Sequence, residues 1–378
     1  INFNADAVVA RKAAEAGSVL LRNENNLLPL AASVKSVAVI GGHADKGVIT
    51  GGGSSSVEPP EGNAVPGLEP TEWPGPVRYQ PSAPLAAINA QTGGKAKYAD
   101  GTDIAAAARL AAESEVAVVF VQQWTAESFD PATMALDGNQ DALVAAVAGA
   151  NPKTIVVIQN NGPVKMPWLS SVGAVLDVWY AGARGGEAIG NLLFGKVAPS
   201  GRLPVTWPKD ESQLPRPVIV GGGFPSGKPA DKVDYNIEGA DIGYRWFQKK
   251  NLTPLFPFGY GLTYTSFDYS TFKVNQANGE VTVDVTVKNT GKRAGIDTPQ
   301  VYVTHPDGAP RRLAGWARVP LQPGQSRTVH IKLNPHALAR YQDGWKVAAG
   351  SYTFQLGTSA ITFAGNAEAT IPAFAVKQ

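Results

Sequence analysis

Four short, uninterrupted apolar runs limit this chain more than any other feature: Val37–Ile40, Val116–Val121, Thr154–Gln159 and Ala174–Trp179. A strand that is apolar on both faces is buried on both faces, and helical patterns lie between the runs at 105–112, 140–147 and 187–194. Strands of this kind alternating with helices predict a mostly parallel sheet covered by helices, an (α/β)6-type sandwich. The spacing places this α/β region at 36–207. In front of it, residues 5–22 are Ala-rich with apolar positions at helical spacing and predict a helix, so 1–35 reads as a linker helix leading into the region. After it, 208–262 is rich in Pro, Gly and aromatics without periodicity and reads as an irregular inter-domain segment.

From 263 onward the period becomes two. Val281–Val287, Gln300–Thr304, Thr328–Leu333 and Ser351–Leu356 alternate apolar and polar residues, with turn signals at Asn289-Thr-Gly291, Gln322-Pro-Gly324 and Asp343-Gly344. Short alternating strands at this spacing predict an all-β sandwich of the fibronectin type III class over 263–378.

Composition narrows the function classes. The 378 residues carry 33 basic and 31 acidic side chains, a net charge of +2 with no long basic cluster, which gives no reason to expect a nucleic-acid partner. No run of 18 apolar residues is present, so no membrane span is expected. Cysteine is absent, which removes thiol catalysis, disulfides and Cys-ligated metals. The four histidines (43, 305, 330 and 336) show no metal-ligand spacing, and Gly41-Gly42 after the first run does not continue into a dinucleotide-binding pattern. Neither metal nor cofactor is expected. The first residues, Ile1-Asn-Phe-Asn4, hold neither Met nor a signal-peptide pattern, as in a processed or cut chain.

Several segments, in one order, resemble glycoside hydrolase family 3: Gly17-Ser-Val-Leu-Leu-Arg-Asn-Glu-Asn-Asn-Leu-Leu-Pro-Leu30, Val37-Ala-Val-Ile-Gly-Gly-His-Ala-Asp45, Gly51-Gly-Gly-Ser-Ser55, Pro199-Ser-Gly-Arg-Leu-Pro-Val-Thr-Trp-Pro208, Ile242-Gly-Tyr-Arg-Trp-Phe247, Leu255–Thr265, Val287–Gly291 and Gln300–Tyr302. The resemblance covers essentially the whole chain. It implies the C-terminal portion of a retaining β-glycosidase, most readily a β-glucosidase: an α/β sandwich and a fibronectin type III-like domain without the N-terminal barrel. That barrel, as a domain or a separate chain, is the expected partner, with a β-linked oligosaccharide or aryl glycoside as substrate and a homo-oligomer left open. The family also suggests a periplasmic or secreted location. The family nucleophile is a barrel Asp; the nearest match here, Leu176-Asp-Val-Trp179, belongs to the fourth apolar run.

Retaining hydrolysis needs two carboxyls about 5–5.5 Å apart, one of them protonated near neutral pH. The segment 122–140 follows the run Val116–Val121, and ligands of open parallel sheets sit beyond the carboxyl ends of strands. By resemblance Glu127 takes the Glu of a Glu-x-x-Asp-Arg-like motif and is the expected general acid/base. Pro131 replaces the Arg, which withdraws the local salt bridge expected there. Asp130 is the alternative catalytic carboxyl, with a turn or N-cap as its structural role. Trp124 and Phe129 flank Glu127 and offer flat apolar surfaces for a sugar ring, or else anchor the loop. Ser54, in the Gly-rich loop 51–55, is the remaining candidate for substrate binding. The competing reading is a non-catalytic carbohydrate-binding or structural fragment.

Overall fold

The computed structural model describes residues 2–218, 233–277 and 279–376. They divide into two compact units, Ile1–Gly201 with Pro208–Asp234, and Arg202–Trp207 with Tyr235–Gln378.

The first unit runs α1 (Phe3–Gly17), β1 (Val19–Asn23), β2 (Val37–Ile40), β3 (Val48–Ile49), β4 (Tyr79–Gln80), α2 (Pro84–Thr92), β5 (Ala96–Ala99), α3 (Ile104–Ala112), β6 (Val116–Gln122), α4 (Gln140–Ala150), β7 (Thr154–Gln159), β8 (Ala174–Asp177) and α5 (Gly185–Leu193). Its main sheet has the order β1-β8-β7-β6-β2-β5. All pairings are parallel except β1 with β8. The apolar runs are the inner strands, and every residue of β2, β7 and β8 is buried. Local signals place the helices. Asp103 caps α3 by accepting from the Ala106 amide at 2.9 Å, and Gly93 ends α2 in the left-handed region at φ 67°. The chain steps from β2 outward to β5, then back across β2 to β6. The sheet therefore has a switch point at the carboxyl ends of β2 and β6, where crevices open.

The expected linker is corrected here. The helix stops at Gly17, and Val19–Asn23 forms an antiparallel edge strand in register with β8, Val19 opposite Asp177. Val19, Leu20 and Leu21 are buried, so a strand that hides three branched side chains wins over extension of the Ala-rich helix. Glu15 is buried at the end of α1, where Arg11 and Asn191 both donate to its Oε1 at 2.7 Å.

In the second unit, α6 (Tyr244–Lys249) precedes β9 (Phe267–Ala277), β10 (Glu280–Asn289), β11 (Gly295–Asp297), β12 (Gln300–Thr304), β13 (Arg312–Trp316), β14 (Val319–Leu321), β15 (Ser326–Lys332), α7 (Pro335–Leu338), β16 (Arg340–Tyr341), β17 (Trp345–Val347), β18 (Gly350–Gly357), β19 (Phe363–Ile371) and β20 (Phe374–Ala375). A three-stranded sheet, β15-β10-β9, and a four-stranded sheet, β13-β12-β18-β19, contribute to one core, with antiparallel pairing throughout. Val281, Val283, Val285 and Val287 alternate inward along β10 and are at most 4% exposed, as a half-buried strand requires. The irregular segment expected at 208–262 is split. Residues 235–262 belong to this unit, 208–218 and 233–234 to the first, and 219–232 lie outside the described residues.

Candidate active site

The loop after β6 is built around buried polar side chains. Gln123 is buried and donates to the Ala135 carbonyl at 2.9 Å. The Tyr180 hydroxyl accepts from the Thr125 amide at 2.9 Å and donates to the Gln123 carbonyl at 2.8 Å. The Tyr79 hydroxyl donates to Gln122 Oε1 at 2.7 Å. At the far end of the loop Glu211 accepts from the Thr133 hydroxyl at 2.6 Å and the Met134 amide at 2.8 Å, and pairs with Lys165 at 3.1 Å. Its partial burial pushes its pKa upward, but these contacts outweigh that and hold it at about 2.

The Gly-rich loop 51–55 lies alongside. The Gly52 amide donates to the Thr125 carbonyl at 2.9 Å, and the Gly53 amide to the Pro74 carbonyl at 2.5 Å. Two glycines are required by this approach. A Cβ on Gly52 would run into Trp124, Ala126 and the Pro74 carbonyl; one on Gly53, which sits at φ 66°, would lie 2.6 Å from the Glu127 Cβ.

That proximity joins two of the expected residues. Glu127 Oε2 accepts from the Ser54 amide at 2.9 Å and also from the Ser54 hydroxyl. These hydrogen bonds, the side-chain one first, hold the exposed Glu127 carboxyl below its ordinary pKa. This is the opposite of what an acid needs, because donors to the charged form favour ionisation. Ser54 is accordingly engaged by Glu127 rather than presenting an uncommitted hydroxyl. Ser128, next to Glu127, takes φ 68°, and the following Phe129 amide closes onto the Ala126 carbonyl at 3.2 Å.

Trp124, Phe129 and Asp130 come together on a cleft of about 550 Å³, walled also by Leu68, Pro70 and Tyr79. Glu127 and Ser54 are not among its lining residues. Trp124 and Phe129 are half-buried and Asp130 is exposed, caps no helix and faces this cleft. The segment Leu68–Val77 that walls the cleft, and the supports Tyr79, Tyr180 and Glu211, gave no signal in sequence. Their roles depend on pairings across long stretches of chain. Among the described residues, no group of three or more His, Cys, Asp or Glu side chains is placed to hold a metal ion, and no helix is long and apolar enough to cross a membrane.

The profile of the glycosyl hydrolase family 3 C-terminal domain matches residues 18–264, and that of the fibronectin type III-like domain matches 297–360. The chain is 36% identical over 369 residues to thermostable beta-glucosidase B of Acetivibrio thermocellus, covering 93% of this chain and 46% of that protein. It is 36% identical over 316 residues to a beta-glucosidase of Rhizobium radiobacter, covering 78% and 38% respectively. Among solved structures, DesR, a beta-glucosidase from Streptomyces venezuelae in complex with D-glucose, superposes with a TM-score of 0.84 at 30% identity, covering 98% of this chain and 60% of that one. The beta-D-glucoside glucohydrolase of Trichoderma reesei gives a TM-score of 0.82 at 28% identity, covering 96% and 55%. The chain thus spans about half the length of the curated relatives it matches. With a mostly parallel α/β sheet, an antiparallel sandwich later in the sequence and a family profile covering most of its length, the chain belongs to glycosyl hydrolase family 3, of which it carries the C-terminal domain and the fibronectin type III-like domain.

Proposed function

We propose that this chain supplies the general acid/base, Glu127, of a retaining β-glycosidase that acts on β-linked glucosides. The nucleophilic carboxylate would come from a barrel outside these residues. The observation that carries the reading is the clamp on Glu127. A carboxylate beyond the carboxyl end of β6 is fixed by both donors of Ser54, beside an aromatic cleft and open to solvent on its other side. A merely solvated carboxylate has no need of two donors and a pair of glycines to admit them. The names of the relatives, beta-glucosidases in both cases, favour glucosides as the substrate class.

In the first step Glu127 would donate its proton to the glycosidic oxygen while the nucleophile attacks the anomeric carbon. In the second it would take a proton from the water that releases the sugar. As held by Ser54, Glu127 is suited to the second role. The first requires its pKa to rise, and a covering apolar surface with a second carboxylate about 5–5.5 Å away raises a pKa in that way. Asp130 faces the cleft wall and is the weaker candidate.

The test uses the whole enzyme. Glu127→Gln should cut kcat/KM on an alkyl or oligosaccharide β-glucoside by roughly 10²–10⁴-fold, while the first step on a dinitrophenyl β-glucoside, which needs little protonation, changes far less. Equal losses on both substrates would remove Glu127 from the acid role.

A further inference from the structure

The second unit holds a cavity of about 770 Å³ formed wholly within it, between residues 204–206, α6, the start of β13, α7 and β17. Four aromatic rings contribute to its walls, those of Tyr244, Phe258, His336 and Trp345. Tyr244 and Phe258 meet at 5.0 Å between ring centres, and Trp345 stands edge-on to His336 at 5.1 Å. The Tyr244 hydroxyl accepts from the Leu313 amide at 2.9 Å, which fixes that ring in place.

Two guanidinium groups, Arg245 and Arg312, line the same cavity. Among the described residues, no carboxylate lies within ion-pair distance of either. The neighbouring charges are committed elsewhere: Asp241 pairs with Lys249 at 2.9 Å, and Arg340 with Asp307 at 3.2 Å. Arg312 is half-buried, and its pKa is lowered first by that burial and then by the charges of Arg340 and Arg245. Two cations thus line one open cavity, Arg312 with one nitrogen donating to the Ala339 carbonyl at 3.1 Å and the rest of its fork without an anion among the described residues. The Thr206 residue adds a third feature. It is only 9% exposed and lines the cavity, and its hydroxyl oxygen has no hydrogen-bond partner. A buried hydroxyl left in that state is costly, and it lies just behind the cavity wall rather than in the open space.

We propose that this cavity of the fibronectin type III-like unit is a binding site for a small aromatic carboxylate, whose ring lies among Tyr244, Phe258 and Trp345 and whose carboxylate is taken by Arg245 and Arg312. A cavity of this size with apolar walls and a few converging polar groups is the ordinary form of a small-molecule site. Guanidinium forks match a planar carboxylate. Asp241 nearby tempers the positive field and favours a single negative charge over two. The site is independent of Glu127 and of the glycosidase reading.

The experiment titrates the full chain with trans-cinnamate and, separately, with cinnamamide, which keeps the shape and removes the charge. Calorimetry and tryptophan fluorescence report binding. Cinnamate should bind saturably at one site and cinnamamide at least 10-fold more weakly. Arg245→Met, at a guanidinium that makes no ion pair among the described residues, should weaken cinnamate at least 10-fold. Arg312→Met, which removes the second guanidinium of the cavity, provides a second reading should Arg245→Met fail to fold. Absence of saturable cinnamate binding up to about 10 mM, a Kd at which little free energy is gained, would overturn the proposal. So would equal binding of acid and amide, or unchanged affinity in both variants.

Discussion

Ser54 governs the charge of Glu127 from a loop 73 residues away, and this makes the pair separable by experiment. Removing the hydroxyl in Ser54→Ala leaves the amide donor in place but deletes the leading cause of the lowered pKa. The Glu127 carboxyl, followed by carbon NMR through a pH titration of this chain, should therefore titrate at a higher pH than in the parent. A titration that does not move would show that the backbone amide alone sets the charge. Asp177 behaves in the opposite sense. It is fully buried at the end of β8, accepts only from the Trp179 amide at 3.2 Å, and its Oδ2 has no partner. Burial pushes its pKa well above the ordinary 3.8. The unfolded chain then releases this proton before the folded one does. Its cost to stability is absent below the ordinary value and grows as pH rises toward the folded one. Asp177→Asn removes that slope. The variant and parent should melt alike near pH 4, and the variant should melt higher at pH 7. A variant less stable at every pH would mean that the buried oxygen is satisfied as an anion.

At the scale of elements, the strands most legible in sequence are those buried on both faces, because only they lack polar positions altogether. Val37–Ile40 and Thr154–Gln159 are strands with the bounds their apolar runs suggest. β5, Ala96–Ala99, gives no strand signal in sequence because it is the sheet edge, half-exposed, and carries Lys97 and Tyr98 in place of an apolar run. β1 was hidden for a different reason: local helix propensity extends past Gly17, and only pairing with β8, about 150 residues later, decides against it. The same distance problem limits the site. Resemblance to the family's Glu-x-x-Asp-Arg-like motif, with a place beyond a parallel strand, marks Glu127. The Ser54 clamp, the Tyr180 support and the cavity of the second unit depend on contacts that no local pattern encodes. The strand reading of β1 can be checked directly. Leu20 is fully buried there, so Leu20→Ala should cost roughly 2–5 kcal/mol in urea unfolding of the first unit. Position 20 would sit on the outside of a freely extended linker helix, where the same change costs a few tenths of a kcal/mol at most.

On the scale of the molecule, the two units are interleaved in sequence. Residues 202–207 belong to the second unit although 208–218 return to the first. Within the second unit the Leu203 amide bonds the Tyr260 carbonyl and the Trp207 amide the Phe256 carbonyl, both at 2.8 Å. Trp207 is wholly buried, its ring edge-on to Phe256 at 6.3 Å. Synthesis on the ribosome runs in one direction at about 5–20 residues per second, so the 49 residues from Trp207 to Phe256 (256 − 207) take roughly 2–10 s to make. For an interval of that length the largest side chain of the segment has been made or has emerged while its partner has not. Glu211, which ties down the loop after β6 through Thr133 and Met134, likewise arrives only after that loop has been made. The nascent chain therefore passes through a stage in which a tryptophan destined for the interior is in water and the loop that bears Glu127 is unanchored. That is the stage at which a chaperone would find a handle on this protein and a protease an opening.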